Sequence, residues 1–164
     1  MPITKLYHTW MQKINQLLPN ERITRVRNLA WLLTGIFMSK SVHLSKVASK
    51  IPGRARLISI TRRLDRFLEN AEFRVRDWYE PIAKRLLEQR AGSEYCLIVD
   101  GSKVGFGHQL LMIALAYRRR ALPLVWMWVR CSRGHSTAGR QLALLGYLYK
   151  LLPLDAQVLV LGDS

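Results

Sequence analysis

The stretch Tyr95-Cys96-Leu97-Ile98-Val99-Asp100-Gly101-Ser102 decides how this chain reads. The run from Tyr95 to Val99 has the length and composition of a buried strand, and it delivers a carboxylate, Asp100, straight into Gly101-Ser102. A charge that closes a buried strand is costly unless it is paired, neutralised or bound to a cation, so Asp100 asks for a partner. A second run, Val158-Leu159-Val160-Leu161, ends the same way in Gly162-Asp163.

Between these runs the pattern is short apolar segments separated by turns. Tyr95–Asp100 extends through Ser102-Lys103-Val104, and Leu110–Tyr117 and Leu122–Val129 follow, punctuated by Gly105, Gly107 and Arg118–Ala121. Links this short predict an antiparallel meander of three strands. Ser136-Thr137 is placed to cap a helix over 137–151, with Leu142, Leu145, Leu148 and Leu151 or Leu152 facing inward, and Pro153 ends it. The run 157–162 is then a fourth strand, which after a helical crossover pairs most naturally parallel to an earlier one. The order is β-β-β-α-β.

Upstream of Ala91-Gly92-Ser93 the periodicity is helical. Apolar spacing predicts helices over 4–18, over 21–39 behind an Asn20 cap, from Ser41 or Ser45 to Lys50, over 55–69 and over 71–90. In the second, Ile23, Val26, Leu29, Ala30, Leu33 and Phe37 form one apolar face opposite Arg22, Arg25 and Asn28, whose bland reading, a solvated polar face, is weakened by the basic character of the rest of the chain. In the fourth, Leu57, Ile60, Leu64, Phe67 and Leu68 point inward while Arg56, Arg62, Arg63 and Arg66 point out. In the fifth, Trp78 and Tyr79 lie on an apolar stripe and read as packing residues. The chain is therefore expected to be α+β, an all-helical basic domain over 1–92 and a β-β-β-α-β domain over 93–164.

Charge narrows the partner. Lys and Arg number 26 against 11 Asp and Glu, a net +15, which points to nucleic acid or an anionic membrane surface. Residues 1–90 hold 18 of the cations and 7 of the acids, so most of the attraction lies in the helical half. The longest hydrophobic stretch, Leu110 to Val129, is cut by Arg118-Arg119-Arg120, which is prohibitive for a membrane span. Lys5 and Lys13 interrupt the early apolar residues, so no signal peptide is read. Cys96 and Cys131 lack zinc or disulfide spacing and read as buried thiols of a cytoplasmic protein.

A short helix, a turn with Pro52-Gly53 and an arginine-studded helix make a helix-turn-helix-like pattern whose second helix fits a major groove. Double-stranded DNA is thus the expected partner, contacted by Arg56, Arg62, Arg63 and Arg66, the alternative being a merely solvated basic face; Arg118, Arg119 and Arg120 at a hairpin tip read equally as phosphate contacts or as a solvated turn. For the aspartates, two divalent ions held by a few carboxylates can activate a nucleophile and neutralise a leaving oxygen in phosphodiester chemistry. Asp100 and Asp163, at the ends of neighbouring strands, can share one such Mg²⁺ or Mn²⁺; the alternative is that each simply begins a turn. His8, His43, His108 and His135 show no ligand spacing, and Ser102 is no nucleophile elbow because no strand-to-helix turn follows it.

Ile98-Val99-Asp100-Gly101-Ser102, Gly134-His135-Ser136-Thr137 before a leucine-rich helix, and Val158-Leu159-Val160-Leu161-Gly162-Asp163-Ser164 together resemble the insertion-sequence DDE transposases, in the branch named for insertion sequence four. The resemblance implies an RNase H-like core, Asp100 and Asp163 as the first two acids of a metal-binding triad, DNA binding by residues 1–90, and Mg²⁺-dependent cut-and-paste transposition by a dimer acting on transposon ends. The family's third acid, a glutamate on a late helix, has no counterpart before Ser164. Two functions are accordingly expected. One is the N-terminal portion of a transposase, with an incomplete core and inactive alone. The other is a non-catalytic DNA-binding remnant that inhibits a full-length transposase.

Overall fold

A computed structural model describes residues 2–72, 74–90, 92, 94–105, 107–130 and 137–162. Among them are six α-helices and a four-stranded mixed sheet, so the chain is α+β. It forms two compact units, Met1–Trp78 and Tyr79–Ser164, which divide inside a helix and not at Ala91-Gly92-Ser93.

The first unit contains α1 (Ile3–Leu17), α2 (Ile23–Ser39), α3 (Leu44–Ala48) and α4 (Leu57–Leu68). α1 packs on α2 through Ile14, Val26 and Ala30, flanked by Trp10 and Leu33, and Tyr7 stacks on Trp31 with ring centroids 3.9 Å apart. A second core joins Leu32, Val47, Ala48, Ile51, Ile60, Leu64, Phe67 and Trp78. α2 and α3 approach so closely that a Cβ on Gly35 would lie 2.5 Å from Val47 Cγ1 and 2.8 Å from the Val47 carbonyl oxygen. Beside it the buried Thr34 hydroxyl donates to the Ala30 carbonyl, 2.7 Å away, so its burial leaves no donor unpaired.

Several expected core positions are on the surface. Ile23 and Phe37 lie near the two ends of α2 and are exposed, because α2 buries a second flank, Leu32, Thr34 and Gly35, instead. Leu57 and Leu68 are exposed at the ends of α4, since α3 is only five residues long and covers little more than one turn of its stripe. Asn20 does not cap α2: Arg22 holds the N-cap position, and its N–H donates to Glu21 Oε1.

α5 (Val75–Glu88) begins in the first unit and continues into the second, where Ala83 and Leu87 join the core of a sheet built from β1 (Tyr95–Lys103), β2 (His108–Tyr117), β3 (Arg120–Arg130) and β4 (Val158–Gly162). The strand order is β3-β2-β1-β4. β1, β2 and β3 form the expected antiparallel meander, and β4 returns parallel to β1 after α6 (Ala138–Tyr149). One sheet face carries Tyr95, Leu97, Leu111, Ile113, Leu115, Val125 and Val129 into contact with Leu144 and Leu148 of α6.

Leu142 of α6 points outward, 67% exposed. At 100° per residue, a spacing of three drifts around the helix, and Leu142 ends about 240° from Leu148; the stripe that stays inward is Leu144, Leu145, Leu148 and Leu151. Thr137 is the N-cap residue of α6 but makes no side-chain capping bond, and Ser136 lies outside the described residues. Cys96 is only half-buried, and Cys131 and His135 lie outside the described residues. Among the described residues no helix is long and apolar enough to cross a membrane.

Candidate functional site

Asp100 does not end its strand. β1 continues to Lys103, and Asp100 is where its burial stops, Tyr95 to Val99 being buried or half-buried and Asp100 to Lys103 exposed. The desolvation argument for a partner therefore does not hold, since an exposed carboxylate keeps its water. Asp100 shares a sheet face with Ser102, whose hydroxyl donates to Asp100 Oδ2 at 3.0 Å. Across the ladder Asp100 lies level with Met112 and Trp126, and Ser102 with Leu110 and Trp128. Trp128, which no sequence pattern singled out, stands exposed on that face.

β4 follows β1 in register from Tyr95 opposite Val158 to Val99 opposite Gly162. Those last two residues immediately precede Asp100 and Asp163 in the sequence. Asp163 itself lies outside the described residues. Behind the aspartate face, Gly101 makes room for a buried side chain: a Cβ there would fall 2.3 Å from Gln109 Nε2. Among the described residues Gln109 Oε1 has no hydrogen-bond partner, and no three His, Cys, Asp or Glu side chains gather in a way that could hold a metal ion.

Arg56, Arg62, Arg63 and Arg66 are all exposed, and Arg62 and Arg66 edge a shallow recess with Ser59 and Asp65. α3 packs against α4, and the link between them turns at Gly53, whose φ of 145° suits glycine. At the other candidate contact, Arg118 and Arg119 form a two-residue hairpin turn closed by the Tyr117–Arg120 pair, with φ of 45° and 64°. Both are left-handed, the pattern of a type I′ turn, which normally takes Asn-Gly. The Arg118 guanidinium lies 5.2 Å from the centroid of the Tyr117 ring.

One part of the first unit was missed by sequence reasoning. The polar side of α2, expected to be a solvated face, lines a cleft of about 490 Å³ with α4, formed by Arg22, Arg25, Asn28, Arg63, Arg66 and Glu72 among others. Arg25 is nearly buried and paired with both Glu21, at 3.1 Å, and Glu72. Burial alone would push the Glu21 carboxyl up. The Arg22 backbone N–H, the Trp78 indole N–H at 2.9 Å and Arg25 outweigh it and hold Glu21 below the usual carboxylate range. The Glu21–Arg25 spacing was readable as a helical i,i+4 pair. The Glu72 contact was not.

No protein-family model, no curated protein and no solved structure matches the chain.

Proposed function

We propose that this chain binds double-stranded DNA through its basic helical unit and carries, on an RNase H-like sheet, Asp100 and Asp163 as two acids of a metal site for DNA strand cleavage and transfer. The observation that carries the reading is the parallel register of β1 and β4, which extends to the residues immediately before the two aspartates. The strand order β3-β2-β1-β4, with one parallel pair after a helical crossover, supports the same fold.

The chemistry of the donors fits a hard divalent cation. Asp100 is exposed, and among the described residues its Oδ2 accepts a bond from Ser102, which leaves oxygen donors open to a cation. Asp100 and Asp163 would hold Mg²⁺ or Mn²⁺, which when bound makes water or a terminal hydroxyl a stronger nucleophile and relieves charge on a leaving oxygen. Ser102 fixes the Asp100 carboxylate, while Arg56, Arg62, Arg63 and Arg66 hold the DNA backbone.

The test is Mn²⁺ binding measured calorimetrically on the full chain, together with duplex binding. D100A and D163A are expected each to abolish Mn²⁺ binding with DNA affinity kept. Mn²⁺ binding that survives both changes sinks the metal site. If R62A with R66A then still weakens DNA binding, a DNA-binding protein without catalysis is what remains.

A further inference from the structure

Within the first unit, Arg25 occupies an unusual position for a cation in a DNA-binding face. Its side chain is 16% exposed and already holds two carboxylates, Glu21 and Glu72, of which the Glu72 side chain is 66% exposed. Glu72 comes from the turn after α4, where its own N–H donates to Asn70 Oδ1 at 3.0 Å. That turn presents an otherwise solvated carboxylate to the one largely buried guanidinium of the cleft. Around it, Arg22, Arg63 and Arg66 are exposed, and among the described residues none of the three has an ion-pair partner. α2 also begins there, with Thr24 in the cleft lining.

The cleft thus holds four guanidinium groups and one carboxylate in its lining, and the carboxylate uses only one of the four. A phosphodiester carries the same charge as Glu72 and presents comparable acceptor oxygens. Exchanging one for the other leaves Arg25 paired with Glu21 and with one further anion, as before, and adds attraction from Arg22, Arg63 and Arg66 that Glu72 leaves unused. Resting on the DNA reading above, we infer that Glu72 is a built-in occupant of a phosphate seat between α2 and α4, which a backbone phosphate of bound DNA displaces from Arg25. The seat extends the DNA contact from α4 to the start of α2 and makes Glu72 a brake on affinity.

Fluorescence anisotropy of a labelled duplex of arbitrary sequence, titrated with the full chain over a salt series, tests this. E72Q is expected to tighten binding about two- to fivefold, the range of an exposed ion pair. E88Q makes the same change of net charge in the other unit and serves as the reference. R25A should lower the salt slope by about one phosphate contact. In the R25A background E72Q should have no further effect, with circular dichroism of each variant confirming that the helices persist. If E72Q gains no more than E88Q, or gains as much without Arg25, the phosphate seat is wrong. In that case R56A with R62A, which lie outside the cleft lining, still weakens binding if the DNA reading holds. If that pair changes nothing as well, the DNA reading fails with it.

Discussion

The hairpin tip should become more stable when its arginines are removed. Arg118 and Arg119 both sit at positive φ, which costs an L-residue with a Cβ about 1–2 kcal/mol each. Replacing them by Asn and Gly, R118N with R119G, installs the pair that a type I′ turn prefers and removes most of that strain. Against the gain stand the freedom that Gly adds to the unfolded chain, about 0.5–1 kcal/mol, and the exposed Arg118–Tyr117 contact, about 0.5–1 kcal/mol. The balance is a stabilisation of roughly 1 kcal/mol, which for a unit of this size raises Tm by about 4–8 °C. Calorimetry gives the shift, and hydrogen exchange of the β2 and β3 amides localises it to the hairpin. If the same variant binds DNA more weakly, the strain is retained because the arginines touch phosphate. A double variant that melts no higher and exchanges no more slowly refutes the idea that the turn is strained at all.

The packing and titration of the first unit give two further expectations. G35A gains about 1 kcal/mol of helix propensity but sets a methyl against Val47, including a backbone oxygen 2.8 Å away that cannot rotate aside. Overpacking of this kind costs about 1–3 kcal/mol, so urea denaturation should show net destabilisation, and a neutral or stabilised G35A would mean that α2 and α3 are not held that closely. Glu21 is held below the usual carboxylate range in the folded state, so its contribution is complete above its unfolded value of about 4.5 and is lost as pH falls through the lower folded value. E21Q should therefore flatten the acid limb of stability against pH for the first unit, and an unchanged acid limb would show that Glu21 is not selectively ionised there.

What could be read from the sequence was what depends on local pattern. Strand and helix order, the antiparallel meander and the parallel return of β4 follow from short turns, a helical crossover and the switch in periodicity after Gly92. What depends on a distant partner could not be read. Phe37, Leu57 and Leu68 have core-like spacing yet are exposed near the ends of their helices, and Leu142 fails because leucines three apart do not keep to one face. Asp100 has the sequence context of a buried charge, but burial along β1 stops at that residue. The Glu72–Arg25 pair joins positions 47 residues apart, and nothing local announces it. Gly101 looked like a turn residue beside an aspartate and is instead the space into which Gln109 folds.

β4 imposes a condition on every experiment above. It is an edge strand of the described sheet, all five of its residues are exposed, and Val158, Leu159, Val160 and Leu161 bring neither a charge nor a proline to it. Such an edge is a template for chain-to-chain association, and what opposes it is the mutual repulsion of molecules carrying +15. That repulsion is screened by the same salt that dissociates phosphate contacts, with a Debye length of about 10 Å at 0.1 M falling to about 3 Å at 1 M. Colloidal stability and DNA affinity therefore decline together as salt rises. Light scattering alongside each titration separates release of DNA from loss of monomer, and a single lysine in β4, as in L159K, should widen the usable salt window.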